Sequence, residues 1–455
     1  MPKTWSESDR FVPRRIVRPL QQFMQTETSG GMVMLVAAVV ALVWANSPWS
    51  ASYHDVWETN LDITLGGLVH LDLTLEQWIN DALMVIFFFV VGLEIKRELV
   101  IGELRDPKAA ALPAIAAVGG MVVPALIFVA FNAGGEASNG WGIPMATDIA
   151  FAVGVVSLVG NRIPAAAKLF LLALAIVDDI GAIAVIAIFY TSNLSLGWLA
   201  LSALSFVSVV TIRRLGVRSL VPYVVLGVFA WFAMHESGVH ATITGVVMGL
   251  LTPTTSFHDP ARFRATAIDL VEGIDKGYRT GEFGEEHEQA DATLNDLQRL
   301  ASETESPLDR VEGRLHLWSS FVVIPLFALA NAGVELSGDV ISDAVSEPVV
   351  LGVALGLVVG KPVGIVLASV IAVRTGIARL PGYTTWLDMV GLGMLAGVGF
   401  TVALFVAGLA FPGNPELLDL AKVGILAGSL VAGVIGWGFL RVSAPVPPHA
   451  AQEVD

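Results

Sequence analysis

The chain has 455 residues, 55% of them hydrophobic and only 15% charged, with a mean hydropathy of +0.71. Water-soluble proteins carry about 25% charged residues, so a soluble globular protein is excluded, as is a disordered chain poor in apolar residues. The lack of Cys removes disulfides, Cys-ligated metals and thiol catalysis, and a formal net charge of -15 argues against a nucleic-acid partner, which would need clustered Lys and Arg.

What remains is a polytopic membrane protein. A bilayer core of roughly 30 Å takes about 20 helical residues. Residues 1–28 are polar and basic, without the apolar stretch and cleavage site of a signal peptide, and are expected to be a cytoplasmic segment. Apolar runs then predict about twelve spans. Eight fall within 29–254, at about 29–47, 79–98, 110–131, 144–160, 168–190, 195–212, 219–236 and 238–254. Four fall within 314–441, at about 315–334, 347–373, 386–411 and 418–440, before a tail over 442–455. Between the first two spans, residues 60–76 alternate apolar and polar side chains around Gly66–Gly67, which predicts an outer β-hairpin, an irregular loop being the alternative.

The basic residues test this count, because Lys and Arg concentrate in cytoplasmic loops. They crowd residues 3–18 and are absent from 48–78. They return as Lys96, Arg97, Arg105 and Lys108 after span two, and recur after every even-numbered span. Both termini are therefore expected to be cytoplasmic. Of 26 basic residues two depart from the pattern. Lys422, near the start of span twelve, is expected to snorkel to the outer interface. Lys361 lies mid-span, where an unpaired ammonium costs several kcal/mol.

Residues 255–313 form an acidic cytoplasmic insert, with about 14 Asp and Glu against about 6 Lys and Arg over 256–312. Helical character is expected at 288–301, where Leu294, Leu297 and Leu300 are spaced by three. A solvated tether is the main reading and a regulatory docking element the alternative.

Ionisable residues within the spans mark function. Besides Lys361 these are Asp148 in span four and the adjacent pair Asp178 and Asp179 in span five. Neighbouring carboxylates in low dielectric repel each other, so both protons do not leave cheaply and the two titrate as a coupled pair. A hard monovalent cation replaces the protons, which is the physical content of cation/proton antiport. Spans four and eleven are awkward as continuous helices. Span four has Pro144 near its start and Thr147–Asp148 inside; span eleven holds Gly391, Gly393, Gly397 and Gly399 before Phe400–Thr401. Discontinuous spans at corresponding places in two halves point to the site of an inverted-repeat transporter, with Asp148 balancing a positive helix N-terminus; glycine packing between spans is the alternative.

These residues carry a family resemblance. Ala146–Ala152, Ala175–Gly181, Gly360–Gly364 and Gly397–Thr401 resemble signature segments of the NhaA-type sodium/proton antiporters, an established example of the inverted-repeat plan. So do Val91–Glu98 and Ser237–Thr242, and the resemblance covers about 28–441 apart from the insert. It implies an electrogenic, pH-regulated exchange of Na⁺ or Li⁺ for protons in the cell membrane, without a cofactor. Asp178 and Asp179 would bind Na⁺ and protons, Lys361 would pair with Asp178, and Asp148, Thr147 and Thr401 would lie at the crossing of two discontinuous helices. The resemblance also implies inverted repeats at spans three to five and ten to twelve, and a homodimer through the outer hairpin. Glu94, Arg97 and Glu98 match the cytoplasmic region of pH regulation, although a charged helix end is their plain reading; Glu312 and His316 match it too, with Gly313 where the family has histidine.

Other functions fit less well. An intramembrane aspartyl protease needs an Asp after the glycines of a second span, and span eleven has none. His235 and His240 imitate H-E-x-x-H, but five residues apart they would sit about 140° apart on a helix. His240 is expected to be a structural hydrogen-bonding residue, with pH sensing the alternative. A cation-coupled symporter would need an Arg within the spans to hold an organic anion, and a channel a symmetric pore lining; neither feature is present.

Overall fold

A computed structural model describes residues 24, 27–65, 69–191, 194–217, 219–256, 263–264, 266–271, 285–336 and 346–442. Helix α1 (Glu27–Ala45) is followed, after a bend of 117°, by the short α2 (Ser50–Trp57). Strands β1 (Asn60–Leu65) and β2 (Val69–Thr74) pair antiparallel, from Asn60 opposite Thr74 to Leu65 opposite Val69. The hairpin reading therefore stands, while the Gly66–Gly67 turn lies outside the described residues. Among the described residues seven helices are each long and apolar enough to cross a bilayer. They are α3 (Leu75–Val100), α4 (Pro107–Asn132), α6 (Ala165–Phe189), α7 (Leu196–Arg214), α11 (Pro307–Asn331), α12 (Pro348–Arg374) and α15 (Pro415–Val442).

Spans four and eleven are broken. The first is a 3₁₀ segment (Glu136–Met145) followed by α5 (Ile149–Val159), bent by 40°. The second is α13 (Trp386–Ala396) followed by α14 (Phe400–Ala410), bent by 47°. The order long helix, broken pair, long helix thus occurs twice, as α4 to α6 and as α12 to α15. Because α4 starts beside Arg105 and Lys108 whereas α12 ends at Arg374, the two runs have opposite senses relative to the basic ends.

The outer surface of the bundle is that of a membrane protein. On α8 (Leu220–Glu236) Val221, Val224, Val225 and Val228 are each more than half exposed, a contiguous apolar face that a soluble protein would cover. The two halves meet where α4 crosses α12. A methyl group on Gly119 would collide with the Gly364 carbonyl oxygen and the Ala368 side chain, and one on Gly364 with the Gly119 carbonyl. Gly119→Ala is therefore expected to force the helices apart and cost about 1–3 kcal/mol, read as a lower melting temperature in detergent. An unchanged melting temperature would show that the crossing has slack.

Two expectations need correction. Span eight, expected at 238–254, is a turn over 237–242 and then the nine-residue α9 (Ile243–Leu251), packed against α3. An apolar run reports burial, not continuous helix, and here protein rather than lipid covers much of it. The acidic insert ends sooner than residue 313. Helix α10 (Glu285–Thr304) spans the segment expected to be helical, and Ser306 then caps α11 through the Asp309 N–H at 3.1 Å, so 307–313 belong to a membrane helix. Lys422 is buried, and its Nζ reaches one turn back toward the start of α15, 3.6 Å from the exposed Asp419. The N-terminal segment, most of 257–284 and the tail lie outside the described residues.

Candidate ion-binding site

The two breaks cross, and the crossing is tight. The Asp148 N–H donates to the Val398 carbonyl at 2.7 Å, binding one break to the other. Residues 146–148 are extended there, which frees the backbone groups of both half-helices. A methyl group on Gly397 would strike the Leu357 carbonyl, and one on Gly399 would stand 3.0 Å from the Ala146 carbonyl oxygen. The glycines of span eleven are thus needed for close approach at the break.

Every helix end leaves backbone groups unpaired and carries about half a charge. Asp148 serves two positive ends. Its Oδ1 accepts from the Phe151 N–H of α5 at 3.0 Å. Its Oδ2 accepts from the N–H of Thr401 in α14 at 3.2 Å and from the Thr401 hydroxyl at 2.6 Å. The negative ends have partners too. Lys361 Nζ donates to the Met145 carbonyl at the end of the 3₁₀ segment. The Thr147 hydroxyl lies 2.8 Å from the Ala396 carbonyl oxygen at the end of α13.

Asp178 faces this crossing from α6. Its Oδ2 receives Lys361 Nζ at 2.5 Å and lies 2.6 Å from the Thr147 hydroxyl, while Oδ1 is buried with no hydrogen-bond partner among the described residues. Lys361 is wholly buried. It follows a π-helical turn, Gly356–Gly360, whose extra residue rotates everything after it by roughly 100°. Asp179, next along α6, is also turned by about 100° from Asp178. It is 6% exposed and has no hydrogen-bond or ion-pair partner among the described residues. Of these three buried carboxylates Asp178 holds the Lys361 ammonium, Asp148 is held by two helix N-termini, and Asp179 is without a neutralising contact among the described residues. No cluster of three or more His, Asp or Glu arranged to hold a metal is present among the described residues.

The residues that the resemblance assigns to pH regulation are not gathered in one place. Arg97 on α3 pairs with Glu312 on α11 at 2.8 Å, and the second Glu312 oxygen is buried without a partner among the described residues. Glu94 is half-buried one turn before Arg97, and His316 is exposed one turn after Glu312. Glu98 instead accepts the Glu103 N–H at 3.0 Å, closing the turn after α3. His240 lies near the other end of α3, roughly 24 Å away by helical rise. There its Nδ1 is 2.9 Å from the Thr242 hydroxyl and its Nε2 is 3.8 Å from Asp81. His235 lies 3.7 Å from the other Asp81 oxygen, because α8 stops at Glu236 and the turn brings both imidazoles to one carboxylate.

Sequence reasoning passed over three residues here. Asp81 has no motif to mark it. Asp388, buried, caps α13 with Thr385 in a reciprocal Thr-x-x-Asp arrangement, for which the spacing was the available signal. Ser429 of α15 accepts the N–H groups of Gly399 and Phe400 at 3.3 and 3.2 Å; in a Gly- and Ala-rich helix it reads as packing.

The family described as Na⁺/H⁺ antiporter 1 matches residues 21–440. The chain is 45% identical over 428 residues to the Na⁺/H⁺ antiporter NhaA of Oleidesulfovibrio alaskensis, covering 94% of each chain. It is 46% identical over 433 residues to that of Rhodopirellula baltica, covering 95% of this chain and 96% of the relative. To the antiporter NhaA 2 of Sorangium cellulosum it is 46% identical over 442 residues, covering 97% of this chain and 93% of the relative. With a matched family model over nearly its whole length and relatives at this identity, the chain belongs to the Na⁺/H⁺ antiporter 1 family, that of the NhaA proteins.

Proposed function

We propose that this protein is a secondary active antiporter that expels Na⁺ or Li⁺ from the cell in exchange for protons, at Asp178 and Asp179. The observation that carries the reading is the unequal treatment of two adjacent buried carboxylates. Lys361 and Thr147 hold one oxygen of Asp178, whereas Asp179 and the other oxygen of Asp178 have no protein partner among the described residues. A desolvated carboxylate without a partner is costly as an anion, so it is occupied by a proton or by a cation and the two exclude each other.

Cation binding draws Asp178 away from Lys361 and Thr147. The Thr147 hydroxyl has one proton and two acceptors in reach, so it transfers its hydrogen bond to the Ala396 carbonyl. Lys361 keeps the Met145 carbonyl. Asp179 gives up its proton to the incoming monovalent ion, and Lys361, once Asp178 has left it for the cation, gives up a second, which makes the exchange electrogenic. The half-helices that meet at Asp148 move relative to the rest to open the site to alternate sides.

In this reading both termini and the acidic insert are cytoplasmic, the insert is a tether between α9 and α11, and the Arg97–Glu312 pair beside it is where pH acts. The hairpin forms the dimer contact. Its Leu61 and Ile63 are exposed, and a lone two-stranded sheet is marginally stable.

The test is sodium-dependent proton efflux from acid-loaded everted vesicles containing the protein, across pH 6 to 9. A signal with Na⁺ or Li⁺ is expected. Its absence at every pH, with the protein inserted and folded, would overturn the assignment.

A further inference from the structure

The broken helices are capped unequally. Asp148 at α5 and Thr385 at α13 each accept an N–H from their own helix. The residue before α14 is Gly399, which has no side chain to do this, and the first N–H groups of any helix have no partner within it. Those of α14 are taken up from elsewhere in the fold. Thr401 N–H goes to Asp148, and Gly399 and Phe400 N–H go to the hydroxyl of Ser429, a residue 4% exposed in the middle of α15.

We infer that Ser429 is a positioning residue for ion exchange, its hydroxyl capping α14 from the neighbouring α15 and holding Thr401 against Asp148. The inference rests on the proposed transport site. If the Ser429 hydroxyl is removed, two buried N–H groups at a positive helix end lose their acceptor beside the cation site. The end of α14 is then tied by Asp148 alone, a carboxylate that also holds α5. Thr401, Asp148 and Thr147 follow one another at the crossing, so a small displacement of α14 reaches Asp178 through Thr147.

The experiment compares Ser429→Ala, Ser429→Thr and Ser429→Val with the wild type in everted vesicles, reading the Na⁺ concentration for half-maximal proton efflux and the maximal signal separately. Ala and Val are expected to raise the half-maximal Na⁺ concentration about tenfold, the scale of one lost hydrogen bond, with the maximal signal within about twofold. Thr, which restores the hydroxyl in the shape of Val, is expected to stay within about twofold of the wild type. Combining Ser429→Ala with Asp148→Asn is expected to give an effect that is not the sum of the two, because both caps act on one helix end. A wild-type Na⁺ response in both Ala and Val, or equal shifts in Thr and Val, would overturn the inference. Absence of exchange in the wild type would overturn the transport assignment instead. Should Ala fail to insert, the Thr and Val pair decides alone.

Discussion

Asp179→Asn is expected to abolish sodium-dependent proton efflux at every pH from 6 to 9, a loss of at least about 10²-fold, while the protein inserts and folds normally. The substitution keeps the size of the side chain and removes its charge and its titratable proton. Asp179 makes no hydrogen bond or ion pair among the described residues, so the folded state loses no contact. Burying an unpartnered carboxylate costs free energy, and the amide is expected to melt at the same temperature as the wild type or above it. The measurements are vesicle efflux, calorimetric Na⁺ titration in detergent and thermal melting of the same preparation. Exchange at the wild-type rate in the variant would remove Asp179 from the site. A loss of exchange together with a fall in melting temperature would assign it a structural role instead.

Lys361→Met is expected to have the largest effect on stability. The ammonium is wholly buried and donates to Asp178 and to the Met145 carbonyl, so its removal leaves a buried carboxylate and a helix C-terminus uncompensated. Breaking one side of a buried ion pair costs about 3–5 kcal/mol. The melting temperature is therefore expected to fall well below that of the wild type. Lys361→Met combined with Asp178→Asn is expected to recover most of that loss, because the pair is then replaced rather than broken, while exchange stays absent. Equal stability of Lys361→Met and the wild type would mean that the Asp178 carboxylate is carried without Lys361, and would remove the charge balance on which the cation-for-ammonium exchange rests.

Much of the fold could be read in the chain because bilayer spans are local features. A run of about 20 apolar residues reports its own burial, and the spacing of Lys96, Arg97, Arg105, Lys108 and Arg374 orders the runs without knowledge of their contacts. The broken spans could be read for the same reason: Pro144 with Thr147–Asp148, and the glycines from 391 to 399, disfavour continuous helix wherever they occur. Local pattern misled where a neighbouring element decided the outcome. Span eight shortens to α9 because it packs on α3. The insert lost its last residues to α11 because Ser306 caps that helix.

The sequence by itself determined that this is a helical membrane protein with paired discontinuous spans, and which ionisable side chains lie within them. Composition, run length and the cost of charge in a low dielectric depend on no distant contact. Only the tertiary structure decided how those charges are shared. Asp178 and Lys361 are 183 residues apart, Asp148 and Thr401 are 253 apart, and Ser429 reaches Gly399 from another helix. Which carboxylate is neutralised and which is left for the ion depends on the crossing of two helix ends, and no local spacing in the chain specifies that crossing.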